Sequence, residues 1–352
     1  MLTLSHQTIE LKPKHPFVIA RGGYAHHRNV IVRITDDDGL EGFGEAAPNR
    51  YYGESVATVI AALGQFKPLL ERADPMSIDS TEAQLSRTLR GNASAKSAVS
   101  SALHDLLGKR LNLPVHRIWG LDAATSPQSS FTIAIAENHE LEARVREAHE
   151  YPILKIKLGT DRDMEIVRIV RSAAPDKRLR VDANAAWTAK HAVHMSEFLV
   201  DQGVEMLEQP VAGNDIEGLR FVRKRAKLPV FADESCLVAT DIPKLAGAVD
   251  GINIKLAMCG SLREALRMVH TARALDMQVM AGCMIESSLG ISAIAQIAPL
   301  LDAADFDGAA LLATDPFRGT SITGGSIKLS DAPGLGASPA PSADLTTAFQ
   351  GA

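Results

Sequence analysis

Two rhythms of apolar residues divide the chain. Near the N-terminus, Val30-Ile-Val-Arg-Ile-Thr35 follows a period of two, runs into the turn-forming Asp36-Asp-Asp-Gly39 and resumes as Leu40-Glu-Gly-Phe-Gly-Glu45. This pattern predicts an antiparallel hairpin. From Ser55 to Leu70, and again from Ile78 to Leu107, apolar residues recur at helical spacing, with Pro75 and Gly91 as breaks and Gly108 as a stop. An α+β unit is therefore expected over residues 1–118.

Beyond Trp119 short β-rich runs alternate with amphipathic helices. The runs are Phe131–Ala136, Leu154–Leu158, Leu179–Asp182, Met206–Glu208, Val230–Asp233, Gly251–Lys255, Gln278–Gly282 and Phe306–Leu312. Eight such units at near-constant spacing predict a parallel βα barrel over residues 119–319, with an open doubly wound sheet as the rival. Pro333-Gly-Leu-Gly and the Ala/Ser/Pro-rich tail read as a surface segment with its last dozen residues frayed.

Composition sharpens this picture. Of the 352 residues, 46% are hydrophobic and 22% charged, the balance of a folded globular protein. The net charge of −5, from 37 Lys+Arg against 42 Asp+Glu with no basic block, argues against a nucleic-acid partner. Cys236, Cys259 and Cys283 form no CxxC pair, which points to a reducing, cytoplasmic setting and away from a zinc site. The longest apolar stretch, near Ile291 to Leu301, is broken by Gln296, Pro299 and Asp302, and the first residues lack an apolar leader core, so neither a membrane span nor export is expected.

The candidate chemistry lies in a ladder of charges. Lys157, Asp182, Glu208, Asp233 and Lys255 each end a predicted strand and are separated by 25, 26, 25 and 22 residues, one βα unit each. In a barrel, strand C-termini converge on one mouth, so these residues should meet. Asp182, Glu208 and Asp233, from adjacent strands, form an all-oxygen set suited to Mg²⁺, and the lack of His or Cys disfavours zinc. Taken singly, each could be a helix N-cap or half of a buried ion pair. Three together, buried and uncompensated, would be very costly without a cation.

Lysines flank the acids in strand order. Lys155 and Lys157, two apart on one strand, share a face, and Lys255 arrives from four strands further round. Two lysines on either side of a bound molecule could remove a proton from one face of a carbon and return one to the other. Neighbouring cations are expected to depress a lysine pKa toward neutrality. The alternative is that the lysines simply counter the acids.

The strings KIK at 155–157, VDANAAW at 181–187, EQP at 208–210, ADES at 232–235, IKLAMCG at 254–260 and GCMIESSLG at 282–290 closely resemble the muconate-lactonizing branch of the enolase superfamily. The resemblance spans nearly the whole chain. It implies a modified (β/α)8 TIM barrel of (β/α)7β type with an N-terminal α+β capping domain, to which residues 320–352 return. It implies Mg²⁺ on Asp182, Glu208 and Asp233, with Lys157 and Lys255 as acid/base catalysts and Lys155 polarising a substrate carboxylate. It also implies homo-oligomeric assembly.

Within this branch racemases, epimerases, cycloisomerases and o-succinylbenzoate synthases share those residues, so the substrate must be read elsewhere. Asp305 and Asp307, at i and i+2 at the start of the eighth run, offer two carboxylates on one face, suited to an ammonium group. They resemble the motif with which dipeptide epimerases hold the free α-amino end of their substrate. Asp315 reads as the start of a turn. Ile19–Tyr24 and Pro48–Ser55 resemble the two closing loops of the family, with Arg21 and Arg50 as cations able to pair with an acidic second residue. Thr132 and Cys283 match substrate-contact positions. Together the resemblance implies an epimerase acting on a dipeptide of the L-Ala-D/L-Glu kind, from murein. N-acylamino acid racemase, o-succinylbenzoate synthase, cycloisomerase and a non-catalytic binding barrel are the alternatives.

Overall fold

The computed structural model describes residues 1–341 and 349–350. Its N-terminal part holds Thr3–Leu11 (β1), the short hairpin Phe17–Ile19 (β2) and Gly22–Tyr24 (β3), then His27–Thr35 (β4) and Glu41–Ala46 (β5). Strands β1, β4 and β5 form an antiparallel sheet in that order, and the predicted hairpin closes with Thr35 opposite Glu41. Three helices follow, Val56–Leu70 (α1), Ile78–Thr88 (α2) and Ala93–Leu111 (α3).

Both faces of β4 are buried, so its polar/apolar alternation is weak. Val30, Val32 and Ile34 pack with Leu63, Phe66 and Val99 of the helices, whereas Ile31 and Phe43 join the core of the barrel behind the sheet. The sheet is sandwiched. Helix α3 lies so close to β5 that a Cβ on Gly42 or Gly44 would meet the carbonyls of Ala102 or Ala98 at 2.1 and 2.0 Å.

Eight parallel strands follow in chain order: Phe131–Ile133 (β6), Ile153–Lys157 (β7), Arg178–Asp182 (β8), Val204–Glu208 (β9), Val230–Ala232 (β10), Gly251–Ile254 (β11), Gln278–Gly282 (β12) and Ala303–Asp305 (β13). The ring closes where Ser129 bridges Ala304 and the Ser130 amide donates to the Ala304 carbonyl at 3.0 Å. Among the described residues no helix follows β13, so the barrel is of (β/α)7β type. Inside it, Met206, Phe231, Met280 and Ala303 form an apolar floor separate from the core between strands and helices.

Three expectations are corrected. The eighth strand is Ala303–Asp305 rather than Phe306–Leu312, because pairing with Met280–Gly282 sets its register and the apolar run after it forms turns. Asp305 therefore ends that strand instead of beginning it. Gly108 does not stop α3, which continues to Leu111 and ends at Asn112, left-handed at φ 55°. Gly108 serves contact: a Cβ there would lie 2.5 Å from the Gly334 Cα. For the same reason Pro333–Gly336 is not a loose surface segment, since Leu335 is fully buried and its amide donates to Asp105 Oδ1 at 2.8 Å. Most of the dozen C-terminal residues predicted to fray lie outside the described residues.

Candidate active site

The C-terminal ends of the barrel strands gather the predicted charges into one buried cluster. A carboxylate oxygen from each of Asp182, Glu208 and Asp233 lies within 4.8 Å of the others, and all three residues are essentially unexposed. Lys157 Nζ donates to Asp182 Oδ2 at 2.7 Å on one flank, and Lys255 Nζ donates to Asp233 Oδ2 at 2.5 Å on the other. Lys155 Nζ lies 2.8 Å from Glu208 Oε2 and 2.7 Å from Asp305 Oδ2. The lysines thus sit on opposite ends of the acidic row, with Lys155 beside its middle member.

These contacts leave two of the three acids, Glu208 and Asp233, under-compensated. Asp182 is held below the usual carboxylate range: burial opposes its charge, but Lys157, Lys155 and Lys255 prevail. Glu208 is pushed up to about 7 by burial, which Lys155 does not offset against Asp182 and Asp233. Asp233 is raised by burial, against the opposing pull of Lys255. Asp233 Oδ1 is buried with no hydrogen-bond partner, and Glu208 Oε2 has Lys155 near it but no well-aligned hydrogen bond. Oxygen-only donors short of positive charge, with a bare oxygen among them, fit a hard divalent cation.

The expected depression of a lysine pKa is not found. Burial opposes the charge of Lys255, yet Asp233 and Glu208 outweigh it and hold the ammonium above its ordinary value. Lys155 is raised likewise, with Asp305, Glu208 and Asp182 overcoming its burial. Carboxylates outnumber cations in this cavity, so each lysine faces acids before it faces another lysine.

Beside the row lies a second acidic pair. Asp305 accepts from Lys155 Nζ at 2.7 Å and from Ser130 Oγ at 2.9 Å, and burial does not prevent Lys155 and Lys157 from holding its pKa low. Asp307 is buried, accepts from the Thr132 amide at 2.5 Å, and is pushed up to about 7 by burial and by Asp305. The Cys283 thiol donates to the Asp305 carbonyl at 3.3 Å. Thr132, Lys155, Cys283, Asp305 and Asp307 therefore adjoin one another. Asp315 instead accepts from the Ser288 amide and hydroxyl at the start of helix Ser288–Ala295.

The two arginines part company. Arg21, at the β2–β3 turn, donates to the Asn184 carbonyl and to Glu234 Oε1, each at 2.7 Å, while its guanidinium stacks 4.2 Å from the Tyr51 ring centre. It is no free cation. Arg50 is exposed, 6.0 Å from the Tyr24 ring centre.

Several residues at the site carry no signal in the charge ladder. Asn253 Nδ2 donates to Glu208 Oε1 at 2.9 Å, and Glu234, next to Asp233, carries a second buried oxygen without a partner. Tyr52 has its hydroxyl pKa raised by burial and by Asp233 and Glu234. Asn253 shares a strand face with Lys255, a spacing that could have marked it.

Residues 4–120 match the family described as mandelate racemase / muconate lactonizing enzyme, N-terminal domain, and residues 138–343 match the enolase C-terminal domain-like family. The L-Ala-D/L-Glu epimerase of Bacteroides thetaiotaomicron is 40% identical over 329 residues, covering 93% of this chain and 85% of that protein. The L-Ala-D/L-amino acid epimerase of Maribacter sp. is 40% identical over 321 residues, covering 91% and 94%. Among solved structures, the dipeptide epimerase of Enterococcus faecalis V583, complexed with Mg and the dipeptide L-Leu-L-Tyr, has a TM-score of 0.91 at 33% identity and covers 96% of this chain and 99% of that one. With both of its parts matched, over a charge cluster of this geometry, the chain belongs to the mandelate racemase / muconate lactonizing enzyme family of the enolase superfamily.

Proposed function

We propose that the protein is a Mg²⁺-dependent dipeptide epimerase that inverts the stereocentre next to the substrate's terminal carboxylate. The observation that carries this reading is the buried row of Asp182, Glu208 and Asp233 with an ammonium on each flank and a second carboxylate pair alongside. The names of its relatives support it. Asp182, Glu208 and Asp233 would hold Mg²⁺, which as a hard cation draws off the charge that develops on a carboxylate when the adjacent C–H bond breaks.

The chain's own residues do the rest. Lys155 donates to that carboxylate and adds fixed positive charge where negative charge grows. Lys157 removes the α-proton from one face and Lys255 delivers one to the other, and the roles exchange for the reverse reaction. Asp305 and Asp307 receive the substrate ammonium; the raised Asp307 gains a cation that restores its charge. Thr132 and Cys283 bound the space beside them. Arg21 reads an acidic second residue by exchanging Glu234 for the substrate's carboxylate, with Arg50 nearer the rim.

The same reading makes residues 1–118, with 320–352, a capping domain over the catalytic barrel 119–319; part of that last segment lies outside the described residues. It includes a cytoplasmic location, homo-oligomeric assembly, and no nucleic-acid or membrane partner. Net charge and cysteine usage favour this, and among the described residues no helix is long and apolar enough to cross a membrane.

Incubation with L-Ala-L-Glu and Mg²⁺ in D₂O, followed by NMR, tests the proposal. The expected result is deuterium at the Glu α-carbon and appearance of L-Ala-D-Glu. No exchange with this or an apolar dipeptide would overturn it.

A further inference from the structure

Gln209 is fully buried, yet its backbone is left-handed at φ 33°, a region that L side chains rarely adopt. Glycine would sit there without strain. The side chain must therefore return something, and its hydrogen bonds show what. Oε1 accepts from the backbone amides of Asp233 at 2.8 Å and Ser235 at 3.2 Å, while Nε2 donates to the Val211 carbonyl and the Ser235 hydroxyl, both at 2.8 Å. All four hydrogen-bonding positions of the amide are filled, which also fixes which end is oxygen.

The backbone of the same residue reaches the other way. Its carbonyl accepts from the Ala185 amide at 2.8 Å, and its own amide donates to the Phe231 carbonyl at 2.9 Å. Ala185 and Asn184, just past Asp182, are left-handed too, at φ 63° and 45°. The three loops that carry Asp182, Glu208 and Asp233 therefore meet on one side chain and its peptide. Held bare, three carboxylates within 4.8 Å repel one another, and something must keep their loops from parting.

We infer that Gln209 is a positioning residue for the metal centre, a clasp that sets the separation of the three acidic ligands and so the affinity for Mg²⁺. Its side-chain hydrogen bonds go to backbone groups and to the Ser235 hydroxyl, none to a carboxylate of the three acids. The inference rests on the reading of Asp182, Glu208 and Asp233 as Mg²⁺ ligands. Partners in this position usually alter metal affinity about 10- to 100-fold when removed.

The test is isothermal calorimetry of Mg²⁺ binding to the metal-free full chain. Gln209→Gly removes the amide and relieves the backbone, so folded protein is expected with a Kd at least about 10-fold weaker. Epimerisation should then need more Mg²⁺ for half-saturation, with kcat at saturating Mg²⁺ close to wild type. A residue that only supports the fold would lower melting temperature without moving the Kd of the folded fraction, and a Kd within about 2-fold of wild type overturns the clasp. If Gln209→Gly does not fold, Ser235→Ala decides: loss of one partner of the amide should weaken Mg²⁺ binding, and an unchanged Kd overturns the inference. Wild-type protein that binds no Mg²⁺ would sink the metal reading and the clasp with it, whereas wild-type binding with unchanged variants sinks the clasp alone.

Discussion

On four of the eight barrel strands, β9, β10, β12 and β13, an apolar floor and a polar mouth stand two residues apart. Met206, Phe231, Met280 and Ala303 form the apolar floor, with buried Arg180 in register beside Met206. One step of side-chain alternation further, the same strands or their ends present Glu208, Asp233, Gly282 and Asp305. The rise between the layers is about 7 Å. Over that distance the interior passes from dense packing to a cluster whose carboxylates exceed its cations. The lower layer contributes cohesion that offsets the cost of the upper one, where charged groups are crowded for chemistry.

The largest effects should come from the mouth. Lys157→Ala and Lys255→Ala are each expected to reduce epimerisation by about 10²- to 10⁴-fold, read by NMR in D₂O. Each variant should still exchange the α-proton of one epimer only. Equal loss of exchange from both epimers in both variants would end the division of faces between the two lysines.

Next comes the floor. Phe231→Ala should lose about 3–5 kcal/mol of unfolding free energy in a denaturant titration, as large core truncations do. Its kcat at low temperature should stay within a few-fold. If activity collapses while stability holds, the two layers are not separable.

A smaller effect of opposite sign tests the mouth again. Asp307 is raised from 3.8 to about 7 in the folded protein, so the folded state binds its proton more tightly than the unfolded chain does. That group therefore costs stability progressively as pH rises from 3.8 toward about 7, and the full cost persists above that. Asp307→Asn should melt higher than wild type at pH 8, with the difference shrinking on acidification toward pH 4, while KM for dipeptides rises. A variant that melts lower at pH 8 would show that Asp307 is already compensated without substrate.

Much of this was legible along the chain because barrel units repeat: the charge ladder at intervals of 25, 26, 25 and 22 residues brought Lys157, Asp182, Glu208, Asp233 and Lys255 to one cavity. Hairpin and helices were legible for the same reason, local periodicity. What escaped depended on contacts across the sequence. Ala303–Asp305 has little apolar pattern of its own and becomes a strand only beside β12. Gly108 looked like punctuation until Gly334 lay against it. The lysine shifts took the other sign because six carboxylates, Asp182, Glu208, Asp233, Glu234, Asp305 and Asp307, are buried around them. Arg21 was legible as a cation but not as the partner of Glu234, 213 residues away.

The joint at Asp105 ties the end of the chain to its beginning. Oδ2 accepts from the Phe43 amide of β5 at 2.9 Å and Oδ1 from the Leu335 amide at 2.8 Å, with Lys109 alongside. Peeling the C-terminal segment away would leave one oxygen of that fully buried carboxylate without a partner, so the end of the chain is knotted into the fold of its beginning.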